Sequence, residues 1–123
     1  MLNICYLPVI PIRISLNNRK TVYPLDALVD SGSDENLFPA RFGEMLGIDF
    51  KKAEMRILYG IGDSKLVAYK SKVTIWIDNE CFETSANFSY KQNTLLLGRK
   101  DFFSLFGEVS FREDEKYLEL KFK

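Results

Sequence analysis

The segment SKLVAYKSKVTIWI, residues 64–77, alternates in side-chain character with a period of two and contains no glycine or proline. Successive side chains of a strand point to opposite faces, so this pattern commits the segment to an extended conformation within a sheet. Val67, Tyr69, Ser71, Val73, Ile75 and Ile77 fall on one side, and Leu66, Ala68, Lys70, Lys72, Thr74 and Trp76 on the other. The first set is the more apolar and is expected to face the core. One strand cannot bury such a face alone, so the rest of the chain must supply partners.

It does so with further short apolar runs separated by turn residues. Ile10, Ile12, Ile14 and Leu16 alternate with Pro11, Arg13 and Ser15, the period of a half-buried strand, and the prolines suit its edge or start. Asn17-Asn18-Arg19-Lys20 reads as a turn and Thr21 to Asp30 as the returning strand. Residues 54–59 precede Gly60-Ile61-Gly62 and pair with 64–77 as a hairpin. Asp78-Asn79-Glu80 is a turn into a strand over 81–89, and Leu95-Leu96-Leu97 is a short buried run. Residues 108–112 and 117–122 flank a charged stretch, Arg112 to Lys116, as a closing hairpin. Pro39 to Leu46 is a helix, with Pro39 in its first turn and Gly47 at its end. Lys100 to Phe106 is a second short helix ended by Gly107, with Phe102, Phe103 and Phe106 as its buried face. The expected fold class is all-β: a closed barrel with one or two short helices. At 123 residues, with no linker or repeat, the expectation is a single domain over 1–123.

Composition narrows the chemistry. Lys and Arg number 17, as do Asp and Glu, so no basic excess points to nucleic acid or an anionic membrane. No apolar run approaches the roughly 18 residues of a membrane span. The N-terminus lacks a cationic leader pattern, and a cytoplasmic protein is the expectation. Histidine is absent, which excludes Ser-His-Asp and Cys-His catalysis because no imidazole can act as base. Cys5 and Cys81 are the only cysteines; a disulfide between them is open, and two buried free thiols is the preferred expectation. No metal and no cofactor is expected. Carboxylates, lysines or tyrosines must carry any proton traffic.

The stretch ALVDSGSDENLFP, residues 27–39, places such a carboxylate. Ala27-Leu28-Val29 leads directly to Asp30, and the chain then turns on Ser31-Gly32. Taken alone, Asp-Ser-Gly is ordinary turn chemistry, since Asp and Ser bond nearby backbone and Gly accepts positive φ. Gly60 and Gly62 can likewise be plain hairpin glycines, Asp34 a solvated loop acid, and Arg99 a surface charge at a helix end.

In context these pieces form an ordered set. An apolar-apolar-Asp-Ser-Gly-Ser motif is followed by Tyr59-Gly60-Ile61-Gly62 and then by Leu95-Leu96-Leu97-Gly98-Arg99. The set resembles the retropepsin family of aspartic proteases, over about residues 10–122. The resemblance implies a single-lobe retropepsin-like closed barrel with a flap hairpin. It implies that Asp30 is the catalytic carboxylate, that Ser31 bonds across to the partner chain's backbone, and that Gly32 lets backbone approach the substrate. Asp34 is implied to contact substrate backbone and to pair with Arg99, bracing the active-site loop against the C-terminal helix, with Gly98 and Arg99 as structural support. Gly60, Ile61 and Gly62 are implied to form the substrate-binding flap tip. Only one Asp-Ser-Gly is present, so the implied enzyme is a symmetric homodimer with Asp30 of each chain at the two-fold axis. Its substrate is a peptide or protein in extended conformation. The alternative is a non-catalytic module of the same fold that dimerises or binds peptides, because fold does not fix function.

Overall fold

In the computed structural model, which describes residues 2–3, 9–59, 62, 64–112 and 117–122, the period-two runs are strands. In chain order these are β1 (Leu2–Asn3), β2 (Val9–Leu16), β3 (Arg19–Lys20), β4 (Leu25–Val29) and β5 (Leu37–Pro39). Helix α1 (Ala40–Met45) follows, then β6 (Glu54–Tyr59), β7 (Lys65–Ile77), β8 (Glu80–Ser89) and β9 (Leu95–Leu97). A single 3-10 turn at Phe103–Leu105 leads into β10 (Phe106–Arg112) and β11 (Tyr117–Phe122). The strands run in the order β3-β2-β4-β9-β5-β8-β7-β6, and β2 also pairs with β7. That last pairing closes β2, β4, β9, β5, β8 and β7 into a six-stranded barrel, which removes the barrel's free edges. A separate sheet, β1-β11-β10, contains the closing hairpin; its turn residues 113–116 lie outside the described residues.

The barrel is filled by the inward residues of these strands. Ile10, Ile12 and Ile14 of β2 are buried, as are Ala27 and Val29 of β4, and Val73, Ile75 and Ile77 of β7. Phe38 and Phe88 meet edge to face with centroids 5.7 Å apart, and Phe102 and Phe106 with Phe82 close one end. Local chemistry sets the turns. Asn17 and Asp78 take positive φ (57° and 52°), which short polar side chains tolerate, and they start the β2–β3 and β7–β8 hairpins. Helix α1 begins after Pro39 and stops before Gly47, whose φ of 81° terminates it.

Four expectations change. The turn over Asn17–Lys20 and the strand over Thr21–Asp30 change together: Arg19 and Lys20 form β3, and the returning strand is only β4, Leu25–Val29, because Pro24 has no N–H for a ladder. The second helix is only the 3-10 turn at Phe103–Leu105. Phe102 and Phe106 are pinned in the core, Phe106 already within β10, which leaves too few residues to offset helix nucleation. In β7 the odd-numbered face is buried from Val73 onward, but nearer the hairpin Val67 is exposed and Ala68 is buried. The β7–β8 register is unbroken from Tyr69 to Ile77, so no bulge causes the switch. The strand instead leaves the barrel as a hairpin arm whose even-numbered face looks at the loop after β4. Finally, Cys81 is an exposed free thiol rather than a buried one, and Cys5 lies outside the described residues. Among the described residues no helix is long and apolar enough to cross a membrane.

Candidate active site

Strand β4 lies parallel to β9, with Ala27, Leu28 and Val29 opposite Leu95, Leu96 and Leu97. The ladder runs one step further, since Asp30 N–H donates to the Leu97 carbonyl at 3.0 Å. Burial of both inward side chains of β4 thus delivers Asp30 to the strand's end, where the backbone turns. Asp30 is partly buried. Its Oδ1 accepts the Gly32 N–H at 2.9 Å, and its carbonyl accepts the Ser33 N–H at 3.1 Å. A Cβ on residue 32 would stand 3.2 Å from that same Oδ1, so glycine lets the turn fold tightly onto the carboxylate. Ser31 is exposed at the turn.

The loop then wraps over the segment that follows β9. Arg99 N–H donates to the Ser33 carbonyl at 2.8 Å, and Lys100 N–H to the Asp34 carbonyl at 2.7 Å. Gly98 sits directly beneath: a Cβ there would lie 2.6 Å from the Glu35 carbonyl carbon and oxygen. Asn36, fully buried, ties three segments together. Its Oδ1 accepts the Gly98 N–H at 2.9 Å, its Nδ2 donates to the Ser85 carbonyl at 3.0 Å, and its own N–H donates to Asp101 Oδ2 at 3.0 Å. Its carbonyl accepts the Asn87 N–H at 2.9 Å.

Opposite this loop stands the β6–β7 hairpin. Its arms and residues 32–35 enclose a cleft of about 640 Å³, with Leu37, Leu58 and Leu66 as apolar wall and Asp34, Glu35 and Lys65 as charges. Asp30 stands next to this lining, joined to it through Gly32. Of the residues expected at a flap tip, Gly62 has φ of 75°, as a tight turn requires, while Gly60 and Ile61 lie outside the described residues, as does Asp63.

Asp34 and Arg99 both border a shallow depression beside Lys100 and Phe103, yet among the described residues they form no ion pair. Both side chains are exposed, where such a pair is worth only about 0–1 kcal/mol, and the backbone bonds at Ser33 and Asp34 already brace the loop. The ionic contact lies one residue further on. Glu35 Oε1 is 2.5 Å from Arg56 Nη1 and 3.8 Å from Lys70 Nζ. Asp101 is partly buried nearby, and burial holds its carboxyl above the ordinary carboxylate value. The Asn36 N–H and the charges of Lys70 and Arg56 oppose that shift, and Glu35 adds to it. Sequence reasoning missed Glu35, Asn36, Arg56, Lys70 and Asp101. Asn36 carried one usable signal, a polar residue directly before an apolar run.

No protein-family model matches the chain, and no curated protein matches it by sequence. Solved structures do match. The retroviral protease-like domain of Ddi1 from Leishmania major superposes with a TM-score of 0.67 at 13% identity, over 97% of this chain and 95% of that one. A retropepsin-like aspartic protease from Rickettsia conorii gives 0.62 at 18% identity, over 91% and 85%. EIAV protease in complex with the inhibitor HBY-793 gives 0.61 at 20% identity, over 80% and 88%. Barrel closure, the loop over Gly98, the facing hairpin and these superpositions agree that the chain has the retropepsin-like fold.

Proposed function

We propose that the protein is an aspartic endopeptidase, active as a symmetric homodimer. The observation that carries this reading is the placement of Asp30: a carboxylate at the end of a buried strand, on a turn closed by Gly32, beside a cleft roofed by a hairpin. In aspartic proteolysis two carboxylates share one proton. The ionised one takes a proton from water as the water attacks the amide carbon, and the protonated one polarises the carbonyl. One chain supplies a single such loop, so the second Asp30 comes from a partner copy. Two like charges at close range cannot both ionise readily, which sets one pKa apart from the other and allows the division of roles. Ser31 is exposed where its hydroxyl can bond to the partner's loop. The substrate lies as an extended strand between the hairpin and residues 32–35, with Asp34 meeting its backbone and Gly60, Ile61 and Gly62 closing over it.

The test is cleavage of casein from acid to neutral pH by wild type and Asp30→Asn, with a peptidomimetic aspartic-protease inhibitor as a third arm. Expected are a bell-shaped pH profile, inhibition, and a loss of at least about 10³-fold in the variant at an unchanged thermal midpoint. No cleavage by wild type at concentrations where sedimentation shows a dimer would leave a dimerising or peptide-binding module as the reading.

A further inference from the structure

The β6–β7 hairpin is packed at its base, where Tyr69 stacks on Phe50 with centroids 5.2 Å apart and Ala68 is buried. Further out, Met55, Ile57, Tyr59 and Val67 on one face are exposed, so burial does little to hold the outer part in place. The opposite face carries Arg56 and Lys70. Arg56 pairs across the ladder with Ala68 and Lys70 with Glu54, so the two cations occupy adjacent positions of one face. Both reach Glu35 Oε1, Arg56 at 2.5 Å and Lys70 at 3.8 Å. The Glu35 side chain is 18% exposed and those of Arg56 and Lys70 34% and 35%, so the contacts are partly screened by water.

Glu35 is itself a fixed post. Its backbone lies against Gly98 with no room for a Cβ, its carbonyl accepts the Ser33 hydroxyl at 2.9 Å, and the next residue is the buried Asn36. Asp101, the neighbouring acid, is already committed to the Asn36 N–H. Glu35 therefore carries the charged contact between loop and hairpin.

We propose that Glu35 is an ionic latch. Through Arg56 and Lys70 it anchors the base of the flap hairpin to the active-site loop, so that the hairpin's position and the loop's geometry are set together. Glu35 is a positioning residue: it acts on the roof of the cleft, not on the reacting atoms. Without its charge the hairpin samples open positions more often, and the competent closed state is diluted. Apparent substrate affinity falls by that dilution, while turnover from the closed state persists. This kinetic effect rests on the endopeptidase reading; the anchoring does not.

Hydrogen exchange over residues 54–70 tests the latch in wild type, Glu35→Gln, Arg56→Gln and Arg56→Lys, with β2 and β4 as internal reference. Glu35→Gln and Arg56→Gln are expected to speed hairpin exchange roughly 3- to 10-fold and to leave the reference strands unchanged. Arg56→Lys, which keeps a cation, should return toward wild type. The double Gln variant should be no faster than Glu35→Gln alone, because both changes remove one interaction. Hairpin exchange equal to wild type in Glu35→Gln would overturn the latch, as would equal acceleration of β2 and β4, which signals general loss of stability. Should Glu35→Gln not fold, Arg56→Gln against Arg56→Lys makes the same comparison. Casein cleavage run in parallel should show KM rising 3- to 10-fold with kcat nearly constant. If wild type cleaves nothing, the endopeptidase reading fails and the exchange data still decide the latch.

Discussion

Loop 30–36 and the hairpin facing it are fastened in different ways. The loop is held by backbone groups at Asp30, Ser33, Asp34 and Asn36, by a buried amide, and by direct packing on Gly98. The hairpin is held by its own ladder, by the Ser89 hydroxyl donating to the Val67 carbonyl at 2.7 Å, by the Tyr69–Phe50 stack at its base and by Glu35, with exposed apolar side chains along one face. Buried, fully paired contacts give a single geometry and are costly to disturb. A partly exposed ionic contact is weak enough to open and close. Under the endopeptidase reading, the contrast suits a carboxylate that must stay fixed while the roof above it admits a substrate chain.

Gly98→Ala should break the contrast most strongly. The added methyl meets backbone, not a movable side chain, so the loop must lift from β9. A loss of about 3 kcal/mol or more is expected in urea unfolding, or no folded protein at all. A loss below about 1 kcal/mol would show that the loop yields as easily as the hairpin. Asn36→Ala comes next. It leaves the Gly98 N–H and the Ser85 carbonyl buried without their partner, an expected cost of about 2–3 kcal/mol by the same measurement.

The smallest effect belongs to Asp101, which stands at the joint between the two regions. Its folded carboxyl binds a proton more tightly than the unfolded chain does, because burial disfavours the charge. The native state therefore holds more protons across that window, and Asp101 adds stability as pH falls through its folded pKa. The contribution is complete below the ordinary carboxylate value and lost as pH rises toward neutral. Asp101→Asn removes the titration. The substitution should be nearly neutral near pH 4, where both side chains are uncharged, and mildly stabilising at pH 7, where it removes a buried charge. Equal stability differences at both pH values would show that the site does not perturb the proton.

Much of the fold was legible because strand formation is a local, repeating signal. The β6–β7 hairpin, the isoleucines of β2 and the helix from Ala40 to Met45 all follow from spacing and from Pro39 and Gly47. Asp30 was legible too, since an apolar run into Asp-Ser-Gly is a contiguous pattern. Glu35, Asn36 and Asp101 were not. The Glu35–Arg56 contact joins residues 21 apart and the Asn36–Gly98 bond residues 62 apart, so neither leaves a mark on neighbouring sequence. Asp34 and Arg99 misled for the complementary reason: opposite charges near a shared site need not meet when water solvates both.

The sequence by itself determined the alternation, the turns, the lone Asp-Ser-Gly per chain and the absence of histidine, because propensity and composition act on each residue and its immediate neighbours. Only the tertiary structure decided which face of β7 is buried at each end, that the segment after Gly98 ends in a 3-10 turn and a strand, and that Glu35 takes the ionic partner. Those outcomes depend on what packs against a residue, and only the folded chain brings those groups within a few ångströms.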